Sequence, residues 1–161
     1  MESIKKQKVL IALDYDPTAQ KVAEKGFLLA KNMHAEIMLL HVLADSTYYA
    51  SLEYSPIVGF LGITDFDNSN LIDPGELKKL TMHFLEKMKH HLKEDTIQTL
   101  VKEGDFAETI LKTAKEIHAD VIVLGTHSRK WLENIVMGSV TEKVLNHTTI
   151  PLFIIPTRKS H

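Results

Sequence analysis

Five short apolar runs, separated by stretches in which apolar residues recur at helical spacing, restrict this chain to very few architectures. The runs are Val9-Leu10-Ile11-Ala12-Leu13, Glu36 to Val42 with Ile37, Met38, Leu39 and Leu40, the weaker Thr99 to Glu103, Val121 to Leu124, and Ile150 to Ile155. Continuous rather than alternating apolar character is what a strand needs when both faces of its sheet are covered. Between the first two runs, Ala19, Val22, Ala23, Phe27, Ala30 and Met33 form a helical stripe. A strand, a helix and a strand in that order, with a crossover of this length, imply parallel pairing. The pattern therefore predicts an α/β domain built on an open five-stranded parallel sheet, and leaves the strand order open.

Helix starts are signalled in the same way more than once. Asp16-Pro17 and Asp73-Pro74 each read as an N-cap followed by proline at the first helical position, where proline's missing N–H removes no helical bond. After the second signal, Leu77, Leu80, Thr81, Phe84, Leu85, Met88 and Leu92 mark a long amphipathic helix. Asp105 and Glu108 give the next helix an acidic cap and first turn, ahead of the apolar face of Ile110, Leu111, Ala114 and Ile117. Residues 43–73 break the rhythm, mixing Tyr48, Tyr49, Tyr54, Phe60 and Phe66 with Pro56, Gly59 and Gly62. The chain, residues 1–161, thus reads as one domain with an irregular insertion at about 43–73.

The chemistry is concentrated between Asp120 and Glu142. A buried strand ends at Gly125, a loop carries Arg129 and Lys130, and Gly138-Ser139 opens a helix, with Glu142 three residues after Ser139 completing a capping-box pattern. A helix start exposes backbone N–H groups that lack intrahelical partners, and the aligned peptide dipoles add partial positive charge there, so the layout suits an anion. Gly125 and Gly138 lack a Cβ and let a phosphate or ribose approach the main chain. Trp131, Leu132, Ile135 and Val136 read as the apolar anchor of the loop.

Gly125-x2-Ser128-x9-Gly138-Ser139 resembles the nucleotide-binding signature of the universal stress protein family, Gly-x2-Gly-x9-Gly-Ser/Thr, with Ser128 in place of the second glycine. The resemblance spans nearly the whole chain. It implies strand order 3-2-1-4-5 with helices on both faces, a Rossmann-like sheet similar to that of the adenine nucleotide alpha hydrolases. In such a sheet the ligand crevice lies beyond the strand carboxyl ends, where the order reverses. Carried over position by position, the resemblance implies that Leu13 and Asp14 lie along an adenosine, with Asp14 near the ribose hydroxyls or a metal. Val42 lines the adenine pocket, and Leu124 and Gly125 continue that wall. His127, Ser128, Gly138, Ser139, Val140 and Thr141 surround the phosphates. The implied ligand is ATP, ADP or AMP, with any Mg²⁺ carried by the nucleotide. The resemblance also implies a homodimer in which the last strand, Ile150 to Ile155, pairs with its counterpart in a second subunit, which would cover an apolar sheet edge.

Composition removes other classes. A formal charge of -2, with 19 basic and 21 acidic residues scattered among one another, offers no electrostatic footprint for nucleic acid. With no cysteine there is neither a disulfide framework nor a thiolate nucleophile or metal ligand. No segment is long and apolar enough to span a bilayer or serve as a signal core, and the expected location is cytoplasmic. His83, His90 and His91 share one predicted helix. Positions seven apart lie roughly 10 Å from each other along a helix axis, too far for one ion, so no protein-built metal site is expected.

Three functions fit these observations. The first is a nucleotide-binding stress-response or regulatory module, capable at most of slow ATP hydrolysis because no residue is placed as a general base. The second is a dimer of the same fold that binds no nucleotide and acts through protein contacts, which Ser128 would favour. The third is an adenylating or nucleotidyl-transfer enzyme. Such an enzyme calls for a glycine- and serine-rich loop after the first strand, where this chain has Asp14-Tyr15-Asp16-Pro17. Asp14 also has a purely local reading as a turn former, and Ser139 would cap its helix with or without a ligand.

Overall fold

The computed structural model describes residues 5–14, 19–43, 74–126 and 139–157. In chain order the elements are β1 (Lys8–Ala12), α1 (Ala19–Asn32), β2 (Glu36–Leu43), α2 (Pro74–Leu92), β3 (Gln98–Glu103), α3 (Phe106–Glu116), β4 (Val121–Gly125), α4 (Ser139–His147) and β5 (Leu152–Ile155). All four strand pairings are parallel. The order across the sheet is β3-β2-β1-β4-β5, so the winding reverses between β1 and β4. The insertion beyond Leu43, the Asp16-Pro17 and Asp73 cap positions, and the loop from His127 to Gly138 lie outside the described residues.

Alternation along the strands divides the core in two. Val9, Ile11, Leu39, Leu43 and Val123 face α1 and α2, where they meet Val22, Ala23, Phe84 and Leu85. Leu10, Leu40, Val42, Ile122 and Leu124 face α3 and α4 and pack on Ala107, Ile110, Ala114 and Val144. Burial on both faces explains why the strands read as continuous apolar runs. Helix α1 lies very close to the sheet at the reversal point. A Cβ on Gly26 would stand 2.9 Å from the Ile11 side chain and 3.0 Å from that of Val123, and only glycine permits that approach.

Three helices end on a left-handed residue that is not glycine. His34, Lys93 and His118 take up the left-handed conformation at φ of 53°, 55° and 56°. After α3, the His118 N–H donates to the Lys115 carbonyl at 3.2 Å and the Ala119 N–H to the Ala114 carbonyl at 2.9 Å. This pair of bonds satisfies the last helical acceptors, and α1 ends in the same way through His34 and Ala35.

Two strands stop short of the apolar runs that predict them. Strand β1 closes at Ala12 rather than Leu13, although the Leu13 N–H still donates to the Leu40 carbonyl at 2.8 Å. Strand β5 begins at Leu152, not Ile150. The Thr148 hydroxyl both accepts from the Ile150 N–H at 2.9 Å and donates to the Ile150 carbonyl at 2.8 Å, which holds Ile150 in a turn. Pro151 has no N–H for the ladder, but its carbonyl accepts from Ile122 at 2.9 Å and opens the β4–β5 pairing.

Candidate functional site

The carboxyl ends of β1 and β4 are adjacent because these strands pair in register, Val9 with Val121 and Ile11 with Val123. Two residues further along, Leu13 and Gly125 stand at the same level of the sheet, at the point where its order reverses. Leu13 is buried and Asp14 is half-buried as the chain leaves the sheet. Val42, Leu124 and Leu13 direct their side chains into the core, so any contact they offer a ligand above the strand ends is mainly through backbone.

Gly125 has a structural reason to be glycine that the sequence does not reveal. A Cβ there would lie 2.9 Å from the Val22 Cγ2 and 3.0 Å from the Thr157 Cγ2. Its carbonyl accepts a hydrogen bond from the Thr141 hydroxyl at 2.8 Å. Thr141 is only 5% exposed. This bond joins residues sixteen apart and holds the first turn of α4 against the end of β4. Thr126 completes the strand end. Its N–H donates to the Ile155 carbonyl at 2.9 Å, and its hydroxyl oxygen accepts from the Thr157 N–H at 3.1 Å.

Helix α4 starts at Ser139, as the capping-box pattern predicts, with Glu142 in its first turn. Its first backbone N–H groups, which have no intrahelical acceptor, and the positive end of its dipole therefore begin beside the β4 terminus. Val140 is half-buried next to them. Of the residues expected to form the site, the structure brings Leu13, Asp14, Leu124, Gly125 and the α4 start carrying Ser139, Val140 and Thr141 to the reversal point. Val42 lies on β2, on the far side of β1 from β4. His127, Ser128 and Gly138 lie outside the described residues.

One residue at this end of the sheet escapes sequence reasoning. His41, within the apolar run of β2, is 3% exposed and packs edge-on to Phe84 with ring centroids 6.4 Å apart. Its Nδ1 lies 2.7 Å from the Leu13 carbonyl. Burial lowers its pKa from 6.5 to about 4, although the bond to Leu13 works in the opposite direction. The ring is therefore neutral near pH 7. The signal in the sequence is a lone imidazole between Leu40 and Val42, where a buried strand otherwise takes only apolar residues.

Residues 6–156 match the model of the Universal stress protein family. The chain belongs to that family. Universal stress protein MJ0577 of Methanocaldococcus jannaschii is 29% identical over 98% of this chain and 99% of its own length. Universal stress protein YxiE of Bacillus subtilis is 30% identical, over 92% and 97% respectively. Among solved structures, that of hypothetical protein MJ0577 superposes with a TM-score of 0.71 at 22% identity, covering 98% of this chain and all, 100%, of the other. A universal stress protein in complex with cAMP gives a TM-score of 0.60 at 14% identity, covering 94% and 98%. These structural likenesses establish a shared universal stress protein fold. Among the described residues, no helix is long and apolar enough to cross a membrane, and no group of three or more potential ligands is gathered for a metal.

Proposed function

We propose that this universal stress protein binds an adenine nucleotide, ATP or its ADP or AMP counterparts, above the carboxyl ends of β1 and β4. It acts as a cytoplasmic stress-response or regulatory module rather than a dedicated enzyme. The observation that carries this reading is the bond from the Thr141 hydroxyl to the Gly125 carbonyl at 2.8 Å. It fixes a helix start, whose first N–H groups have no intrahelical acceptor, at the reversal point of a parallel sheet, where an anionic ligand gains most from both features. The family signature through Gly138 and Ser139 supplies the phosphate side, Asp14 the ribose side, and any Mg²⁺ would arrive with the phosphates. A relative solved in complex with cAMP is in keeping with an adenine nucleotide as ligand.

The subunit arrangement belongs to the same proposal. Strand β5 is an edge of the sheet, and Phe153 on it is 38% exposed. The Pro151 and Ile155 carbonyls accept from Ile122 and Thr126, so the polar groups of Leu152 and Ile154 face outward. Pairing of that edge with the same strand of a second copy would give a two-fold dimer.

A second reading, a dimer that binds no nucleotide and works by protein contacts, is favoured by one observation. Packing against Val22 and Thr157 accounts for Gly125 without any ligand. Mass spectrometry of small molecules released from the purified protein, followed by ATP titration of wild type and Gly138→Val, separates the two. The first reading expects adenine nucleotide from wild type and no binding by a folded Gly138→Val. Absence of binding in both proteins supports the second.

A further inference from the structure

Strand β2 sends Leu39, His41 and Leu43 toward α1 and α2, and its neighbours Leu40 and Val42 toward α3 and α4. His41 is thus the polar member of an apolar face, and its Nδ1 is 2.7 Å from the Leu13 carbonyl. A carbonyl oxygen only accepts, so Nδ1 carries the hydrogen. The bond falls where the β1–β2 ladder ends. Leu13 N–H makes a last backbone bond to the Leu40 carbonyl at 2.8 Å, and the next acceptor along the chain, the Leu13 carbonyl, receives the imidazole. One residue later the chain departs from the sheet at Asp14. A side chain borne on the neighbouring strand therefore fixes the peptide that links Leu13 to Asp14.

We propose that His41 is a positioning residue for the nucleotide site, holding the Leu13 carbonyl through Nδ1–H and so setting the direction in which Leu13 and Asp14 emerge at the crevice. This inference rests on the nucleotide-binding reading given above. It accounts for a buried polar ring in a strand whose other inward positions are aliphatic. An aliphatic residue would fill the same volume but leave the Leu13 carbonyl without this donor, which a buried acceptor can ill tolerate. The hydrogen sits on Nδ1 whether or not the ring gains a second proton, so the hold does not switch in the neutral range. Phe84 supports the ring from α2, its plane at 79° to the imidazole. The end of β1 is thereby tied to the helix layer as well as to the sheet.

The test compares wild type with His41→Leu, which removes the donor at similar volume, and His41→Asn, whose amide can restore it. ATP affinity is read by calorimetry and amide exchange at Leu13 and Asp14 by NMR. We expect His41→Leu to bind ATP about tenfold more weakly and to lose protection selectively at Leu13 and Asp14, with His41→Asn recovering most of both. Unchanged affinity and exchange that rises uniformly across the sheet would show that His41 only fills space. If His41→Leu does not fold, His41→Asn and the nitrogen shifts of the wild-type ring decide the matter. A tautomer lacking the Nδ1 hydrogen overturns the proposal. Failure of wild type to bind ATP refutes the nucleotide reading instead, and local exchange at Leu13 and Asp14 then settles the positioning role alone.

Discussion

Acidification should weaken this fold through His41 before it does so through the carboxylates for which a shift is resolved. The buried ring resists a proton until about pH 4, whereas in the unfolded chain it accepts one below about 6.5. The folded pKa is the lower of the two, so the unfolded state binds more protons in between, and stability falls as pH falls through that window. At about 1.4 kcal/mol per pH unit the full separation is worth about 3 kcal/mol, of which about 2 kcal/mol is already lost at pH 5. Glu24 and Glu94 do not interfere. Hydrogen bonding to His91 and to Thr96, respectively, lowers their pKa values below the ordinary 4.5, so their contributions persist above that value and decline only at lower pH. Urea titrations of wild type and His41→Leu at pH 7 and pH 5 isolate the effect. With a slope of about 2 kcal/mol per molar urea, the wild-type midpoint should drop about 1 M further than that of the variant. Equal pH dependence in the two proteins would refute the assignment of a neutral, buried imidazole.

Other perturbations test the remaining features. Gly125→Ala should destabilise the fold by about 1–3 kcal/mol, measured by thermal melting, because the new methyl meets the branched side chains of Val22 and Thr157. His118→Gly should stabilise by about 0.5–1 kcal/mol, the relief of left-handed strain exceeding the entropy cost of glycine; a lower melting temperature would contradict this. The bridge between Glu24 and His91 joins α1 to α2 at 2.8 Å, but both side chains are 47% exposed. Exchanging His91 for alanine should therefore cost well under about 1 kcal/mol in chemical denaturation. Edge pairing through β5 predicts that Ile154→Pro, which removes an outward N–H and spares the bonds to β4, converts the dimer to a monomer in light scattering with an unchanged circular dichroism spectrum.

Much of this architecture was legible because covering both faces of a sheet writes itself into the residue order. The runs around Leu10, Leu39, Val101, Ile122 and Phe153 all became strands, and Ser139 with Glu142 marked a helix start that the structure reproduces. Strand order came from family resemblance, since nothing in apolar periodicity distinguishes one permutation of parallel strands from another. The boundary at Ile150 is not legible in the apolar run because the competing turn is built by a hydroxyl, that of Thr148, which makes two short-range bonds. The role of His41 is hidden for a related reason. Its partner, the Leu13 carbonyl, lies twenty-eight residues away, and a main-chain acceptor leaves no trace in residue identity.

Gly125 shows most clearly why a site cannot be assigned from residue type alone. A missing Cβ at a strand end reads equally well as room for a ligand and as room for a neighbour, and here Val22 and Thr157 fill the Cβ direction. What Gly125 offers a ligand is therefore its backbone, whose carbonyl is already engaged by Thr141. The choice of probe follows from this. Enlarging Gly125 would disturb the packing of α1 and the segment after β5, and a loss of nucleotide binding would then be indistinguishable from damage to the fold. Thr141→Val avoids that difficulty, because it keeps the buried volume and removes the hydroxyl that bonds α4 to the end of β4. On the nucleotide reading, this variant should remain folded and bind ATP several-fold more weakly, since the helix start loses its tether while its N–H groups remain. Full affinity in a cooperatively folded Thr141→Val would mean that this bond does not organise the anion site.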